Sequence, residues 1–198
     1  MSVEDLAEVS RSPGGAGDGR AVTGVRILVA TASRHGSTAE IGVEIGKALR
    51  VGVPGAAVDV LPVERVSSLE EYDAVVLGSG VHLGRWLEAA RRLAGSHADG
   101  LRARPVWLFS SGAVHPVGPG AGPTPTDEPA DAVELAAAVG AREHVVFAGR
   151  PDRELVTLHE RLAVGLVHAT DGDGRDWPAV RAWAGRVAAD LRLATHVP

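Results

Sequence analysis

Hydroxyl side chains set beside glycine at the end of an apolar run are where this chain could do chemistry. Ser33-Arg34-His35-Gly36-Ser37-Thr38 follows the run Val25-Arg26-Ile27-Leu28-Val29-Ala30 after Thr31-Ala32 and precedes a helical pattern. A strand, a short turn and a helix start bring backbone N–H groups and hydroxyls to a point where the helix dipole favours an anion, so the segment reads as a phosphate cradle. Two further segments leave apolar runs in the same way. They are Gly78-Ser79-Gly80-Val81-His82-Leu83-Gly84 after Ala74–Leu77, and Ser110-Ser111-Gly112-Ala113-Val114 after Val106–Phe109. Glycine lets a backbone come close to a flat ligand, and serine adds short hydrogen-bonding arms. A phosphate at the first segment and a heterocycle between the other two would be the natural occupancy.

Competing chemistries fail on the same residues. A Walker loop needs Gly-Lys-Ser/Thr, and the only lysine is Lys47. Gly78, Gly80 and Gly84 approach a dinucleotide fingerprint, but the spacing is GxGxxxG and follows the third apolar run rather than the first. Leu77 stands where a serine-hydrolase elbow needs its first glycine. The eight histidines form no HExxH pattern or close carboxylate pairing, and Arg175 takes the third ligand place of the calcium-like Asp171-Gly172-Asp173 stretch, so no metal is expected. The absence of cysteine removes disulfides and thiol chemistry. Plainer roles compete at single positions. Ser37 with Glu40 fits a capping box without any ligand. Trp86 either stacks on a bound ring or packs in the core, and His82 and His115 either bond a ligand or face solvent.

The elements that must hold these segments follow from periodicity. Val25–Thr31, Ala57–Leu61, Ala74–Leu77, Val106–Phe109 and His144–Ala148 read as strands. Helical spacing follows Ser37 through Ile41, Ile45, Ala48 and Leu49, and helices are also expected over Trp86–Ala94 and Asp131–Val139. Leu155, Leu158, Leu162 and Leu166 form another helical stripe. Asp176 should cap a last helix with Pro178 in its first turn and Trp177, Val180, Trp183, Val187 and Leu191 inward. Alternating strands and helices imply a doubly wound α/β fold with a five-stranded parallel sheet. Ligands of such sheets sit beyond the carboxyl ends of the strands, where all three segments lie.

At 198 residues one domain is expected, over 25–198, after a Gly-, Ser- and Arg-rich leader at 1–24 that reads as disordered. No apolar run approaches the roughly 20 residues of a membrane span, and the leader lacks a signal-peptide core. A cytoplasmic protein is the expectation. The net charge of −5 is too weak to argue for nucleic acid or an acidic membrane as partner.

The Ser33–Thr38 segment resembles the phosphate loop of the flavodoxin-like superfamily, usually Ser/Thr-x-Thr-Gly-x-Thr. Tyr72-Asp73-Ala74-Val75-Val76-Leu77-Gly78-Ser79-Gly80, Val145-Val146-Phe147-Ala148-Gly149, the Gly-rich break and Asp176-Trp177 are similar to the menaquinone-dependent protoporphyrinogen oxidase and flavodoxin-domain branch. The likeness runs over about residues 25 to 192. It implies a sheet of order 2-1-3-4-5 and noncovalent FMN. Ser33, Arg34, His35, Gly36, Ser37 and Thr38 would then hold the phosphate, while Gly78 to Gly84, Trp86, and Ser110 to Val114 would flank the isoalloxazine. It implies an FMN-dependent oxidoreductase passing electrons between a reduced donor and a quinone-like or other small acceptor, with protoporphyrinogen oxidation among the activities. No catalytic acid or nucleophile is needed, because the flavin carries the electrons. Two departures stand out. His35 occupies a threonine position, and residues 105–126 carry no Asp, Glu, Lys or Arg where the quinone-linked oxidases have a basic insertion, so an apolar lid is expected there. An electron carrier without its own substrate, and a flavin-free interaction module, stay open, as does a homodimer.

Overall fold

The computed structural model describes residues 24–112, 128–149 and 175–195. Strand β1 (Arg26–Ala32) is apolar throughout because both of its faces are covered. Successive side chains point to opposite faces, so Ile27 and Val29 enter one core, Leu28 and Ala30 the other, and all four are fully buried. The chain continues through α1 (Ser37–Gly52), β2 (Ala57–Pro62), β3 (Ala74–His82), β4 (Arg85–Trp86), α2 (Glu88–Ser96), α3 (Ala98–Arg102), β5 (Val106–Gly112), α4 (Ala130–Val139), β6 (Glu143–Ala148) and α5 (Trp177–Thr195).

The main sheet is parallel in the order β2-β1-β3-β5-β6, and β4 pairs antiparallel with the end of β3. With the two-residue β4 set aside, this is the expected doubly wound order 2-1-3-4-5. One layer, α1 and α5, buries Ile41, Ile45, Leu49, Val180, Trp183, Val187 and Leu191 against Ile27, Val29, Val76, Trp107 and Phe109. The other layer, α2 to α4, buries Ala90, Leu93, Leu101, Ala132 and Val139 against Leu28, Ala30, Val75, Leu77 and Leu108.

Helix α1 lies close on the sheet because glycines face it. A Cβ at Gly42 would stand 2.5 Å from Thr31 Cγ2, and one at Gly46 would stand 2.5 Å from Val60 Cγ2. Helix α5 starts as expected, with Asp176 Oδ1 accepting the Ala179 N–H at 2.9 Å. It is fastened to α1 at both ends, by Arg181 to Glu44 (3.1 Å) and by Arg192 to the Gly52 carbonyl (2.8 Å). The Arg181 hydrogen bond holds the Glu44 carboxyl below its ordinary range.

Three local expectations are corrected. The capping box does not form. Gly36 is the N-cap, in the left-handed region at φ 86, with no side-chain cap bond, and Glu40 turns to Arg175 at 2.5 Å. The segments read as loops from Gly78 and from Ser110 are strand, through His82 and Gly112. Glycine at 78 serves packing rather than a turn, since a Cβ there would lie 2.0 Å from Phe109 Cζ. Trp86 belongs to β4, and the helix expected from that residue starts at Glu88. Residues 1–23 of the leader, the 113–127 region and the Leu155–Leu166 stripe lie outside the described residues. Among the described residues, no helix is long and apolar enough to cross a membrane.

Candidate functional site

Sheet register brings the three segments together. Thr31 pairs with Gly78 and Ala32 with Ser79, while Ser79 pairs with Ser110 and Gly80 with Ser111. The carboxyl ends of β1, β3 and β5 are thereby adjacent, and the chain after β1 turns directly into α1. Parallel pairing of apolar runs produces this arrangement without any side chain of the site taking part.

Around the first segment the geometry suits an anion. The first intrahelical bond of α1 is Glu40 N–H to Gly36 C=O at 2.9 Å, so the N–H groups ahead of it are not used by the helix itself. Gly36 supplies the left-handed bend, with open space where a Cβ would be. Thr38 is buried at 3% exposure, and its Oγ1 would lie 3.2 Å from a Cβ at Gly80, so the first segment and β3 touch. Ser33 Oγ is buried and has no hydrogen-bond partner among the described residues. A buried hydroxyl is ordinarily paired, and this one stands with its hydrogen-bonding capacity unused just ahead of a helix start. Arg34 and His35 are exposed, and Arg34 Nη1 lies 3.3 Å from His82 Nε2, joining the first segment to the second.

The second segment forms the edge of a tight hairpin. Val81 pairs with Trp86 and His82 with Arg85 across Leu83 and Gly84, which both adopt positive φ (50 and 72). Leu83 is 88% exposed at the tip. Beneath it, Ser79 and Trp86 act as struts. The Ser79 hydroxyl donates to Gly80 C=O at 2.9 Å and accepts from Leu87 N–H at 3.0 Å. Trp86 N–H donates to both Asp131 carboxylate oxygens (3.2 and 3.0 Å), and its indole N–H donates to Ser110 Oγ at 2.7 Å. Trp86 is 2% exposed and Ser79 and Ser110 are fully buried, so these three side chains face the protein. Packing, the plainer of the two roles open to Trp86, is what its surroundings describe. Ser111 is buried at 4% and Gly112 is partly exposed at the end of β5. Ala113, Val114 and His115 lie outside the described residues. Among the described residues, no group of His, Asp or Glu side chains is placed to hold a metal ion.

A family model described as Flavodoxin domain matches residues 28–176. The chain belongs to the flavodoxin domain family. Flavodoxin-like solved structures agree at low identity. An archaeal flavodoxin superposes with TM-score 0.54 at 14% identity, covering 85% of this chain and 99% of its own. A flavodoxin of Streptococcus pneumonia TIGR4 gives 0.55 at 18%, covering 84% and 99%. The rubredoxin oxygen:oxidoreductase of Desulfovibrio gigas gives 0.60 at 14%, covering 87% of this chain, which spans only 37% of that longer protein. These likenesses concern the fold. No curated protein sequence matches the chain.

In this flavodoxin-like chain two groups near the site carried no signal in the sequence. Arg175 is 8% exposed, stacks on Trp177 at 4.4 Å, and bonds Glu40 and, at 3.4 Å, the Ser37 carbonyl. It ties the start of α5 to the first turn of α1. His144 of β6 reaches Ser110 Oγ with Nε2 at 2.8 Å and Glu128 with Nδ1. A separate cavity of about 620 Å³ opens between α1 and the start of α5, lined by Gly36, Ala39, Glu40, Val43, Trp177 and Arg181 among others, and no strand-end residue lines it.

Proposed function

We propose that the chain binds FMN at the carboxyl edge of its sheet and passes electrons between a reduced donor and a quinone-like or other small acceptor. The observation that carries this reading is the buried, unpartnered Ser33 hydroxyl beside the α1 N-terminus. Ser33, Ser37 and Thr38 would hold the phosphate, with the backbone from Arg34 to Gly36 wrapping it. Gly80 to Gly84 and the end of β5 would flank the ring. FMN, when bound, supplies one- and two-electron chemistry. The protein's own contribution is to hold the ring edge against the hairpin and keep water from it, with Gly80 letting the backbone come close. Ser79, Trp86 and Ser110 support this reading from beneath, as the struts that keep the hairpin in place.

The described segments put Arg34, His35, His82 and Arg85 around this edge. Such a rim suits a small acceptor better than an acidic face that docks a basic redox protein, and so favours an enzyme over a carrier. Purification tests the reading. A yellow protein that releases FMN on denaturation is expected, with turnover of a quinone, or next a porphyrinogen, by the holoprotein. A colourless protein that takes up no added FMN overturns it and leaves the flavin-free module.

A further inference from the structure

Beneath the hairpin four side chains make one hydrogen-bonded line. Trp86 Nε1 lies 2.7 Å from Ser110 Oγ, Ser110 Oγ lies 2.8 Å from His144 Nε2, and His144 Nδ1 meets Glu128. The line runs from the interior to the surface, with Trp86 2% exposed, Ser110 0%, the His144 side chain 5% and the Glu128 side chain 38%. The Trp86 and His144 rings also meet edge-on, with centroids 6.1 Å apart.

Donor and acceptor chemistry gives the line a direction. An indole N–H only donates, so the Ser110 oxygen must accept from Trp86. The Ser110 hydrogen then goes to His144 Nε2, which accepts it only in the neutral ring, and that ring carries its hydrogen on Nδ1 toward the Glu128 carboxylate. Every group is satisfied in this one arrangement. Protonation at Nε2 breaks it. His144 becomes a second donor into the Ser110 oxygen, and the Ser110 hydrogen loses its acceptor, since Ser110 Oγ has no further partner among the described residues.

We propose that His144 is a positioning residue that couples the β3–β4 hairpin of the candidate site to protonation. Neutral His144 leaves every member of the line with a partner, whereas the imidazolium strands the buried Ser110 hydrogen, and a Ser110 side chain that turns to find it a partner gives up its bond to Trp86 and so loosens the hairpin carrying His82 and Arg85. The charged groups facing this line are Glu128 ahead of α4, Asp131 of α4, Arg85 of β4 and Arg91 of α2, the two arginines each 3.8 Å from Asp131. Carboxylates and arginines ordinarily keep their charge between about pH 5 and 8, whereas histidine changes there. Among the described residues, the histidine of the hairpin itself is His82, which faces Arg34 instead. The line is made of this chain's own groups and couples to the hairpin whether or not FMN is the ligand.

The test is a pH titration of the indole N–H resonances in the ¹⁵N-labelled full chain without FMN, with Trp86 assigned by W86F. Between about pH 8 and 5 the Trp86 resonance is expected to move with a one-proton profile while that of Trp183 stays. Exchange of the Trp86 indole hydrogen, measured relative to Trp183, should rise about tenfold, the scale of one neutral hydrogen bond. H144Q abolishes the profile and H82Q keeps it. S110A removes the relay without touching the histidine; the edge-on His144 ring can still move the Trp86 resonance there, but exchange of the Trp86 indole hydrogen should be fast throughout with no step relative to Trp183, a second readout should H144Q not fold. A profile that survives H144Q, an exchange step that survives S110A, a profile lost in H82Q, or a Trp86 resonance that does not move overturns the proposal.

Discussion

Replacing Ser33 by alanine separates a ligand-binding hydroxyl from a structural one, because the two roles predict opposite signs. Ser33 Oγ is buried and unpartnered among the described residues. A buried polar group left unpaired costs about 1–3 kcal/mol. Ser33→Ala removes that cost and leaves only the space of one oxygen atom, so the apoprotein should gain about 1 kcal/mol, or about 2–4 °C in Tm for a chain of this length. With FMN the sign reverses. A hydroxyl donating to a phosphate oxygen is charge-assisted and worth about 1.5–3 kcal/mol. Its loss should raise Kd for FMN by about 10- to 150-fold. Thermal unfolding of the apoprotein and titration of FMN by flavin fluorescence read the two quantities on the same preparation. An apoprotein destabilised by Ser33→Ala, together with an unchanged Kd, would refute the reasoning and return the serine to a purely structural role.

Three further outcomes follow from other positions. Gly36→Ala meets no atom within 4 Å, but φ 86 disfavours any side chain, so urea unfolding should show a loss of about 1–2 kcal/mol from backbone strain alone. Gly78→Ala puts a Cβ 2.0 Å from Phe109 Cζ and should cost about 1–3 kcal/mol, and a double-mutant cycle with Phe109→Leu should recover part of it, full additivity arguing against the clash. Tyr72, the one tyrosine of the chain, is pushed up to about 12 by burial and then by its hydrogen bond to Asp59, from an ordinary 10.0. Above that ordinary value the unfolded chain loses a proton that the folded chain keeps, so stability present below about pH 10 falls as pH rises toward 12. Phenolate absorbance reads this directly, and Tyr72→Phe should flatten the alkaline loss.

What the sequence allowed to be read divides by the range of the interaction. The strand–turn–helix junction of the first segment was legible because its apolar run, glycine and helix start are neighbours in the chain. The sheet order was legible too, since apolar runs of strand length alternating with helical spacing leave few topologies. Glycine misled at position 78 because the chain alone shows only that a side chain is missing. Whether that makes a turn or room for Phe109 depends on the β3–β5 register. The Ser37–Glu40 spacing fits a capping box, but a carboxylate goes to the stronger partner, and the partner is Arg175, 135 residues away. His144 is the sharpest instance. Strand alternation assigns it a face, yet its meeting with Ser110 requires two parallel strands to pair as Leu108 with His144, and Glu128 to arrive from the far side of the 113–127 region. The groups least visible in the chain are those that join one element of the candidate site to another, so a chain whose strand–turn–helix junction is plain from sequence can still conceal what its neighbouring hairpin rests on.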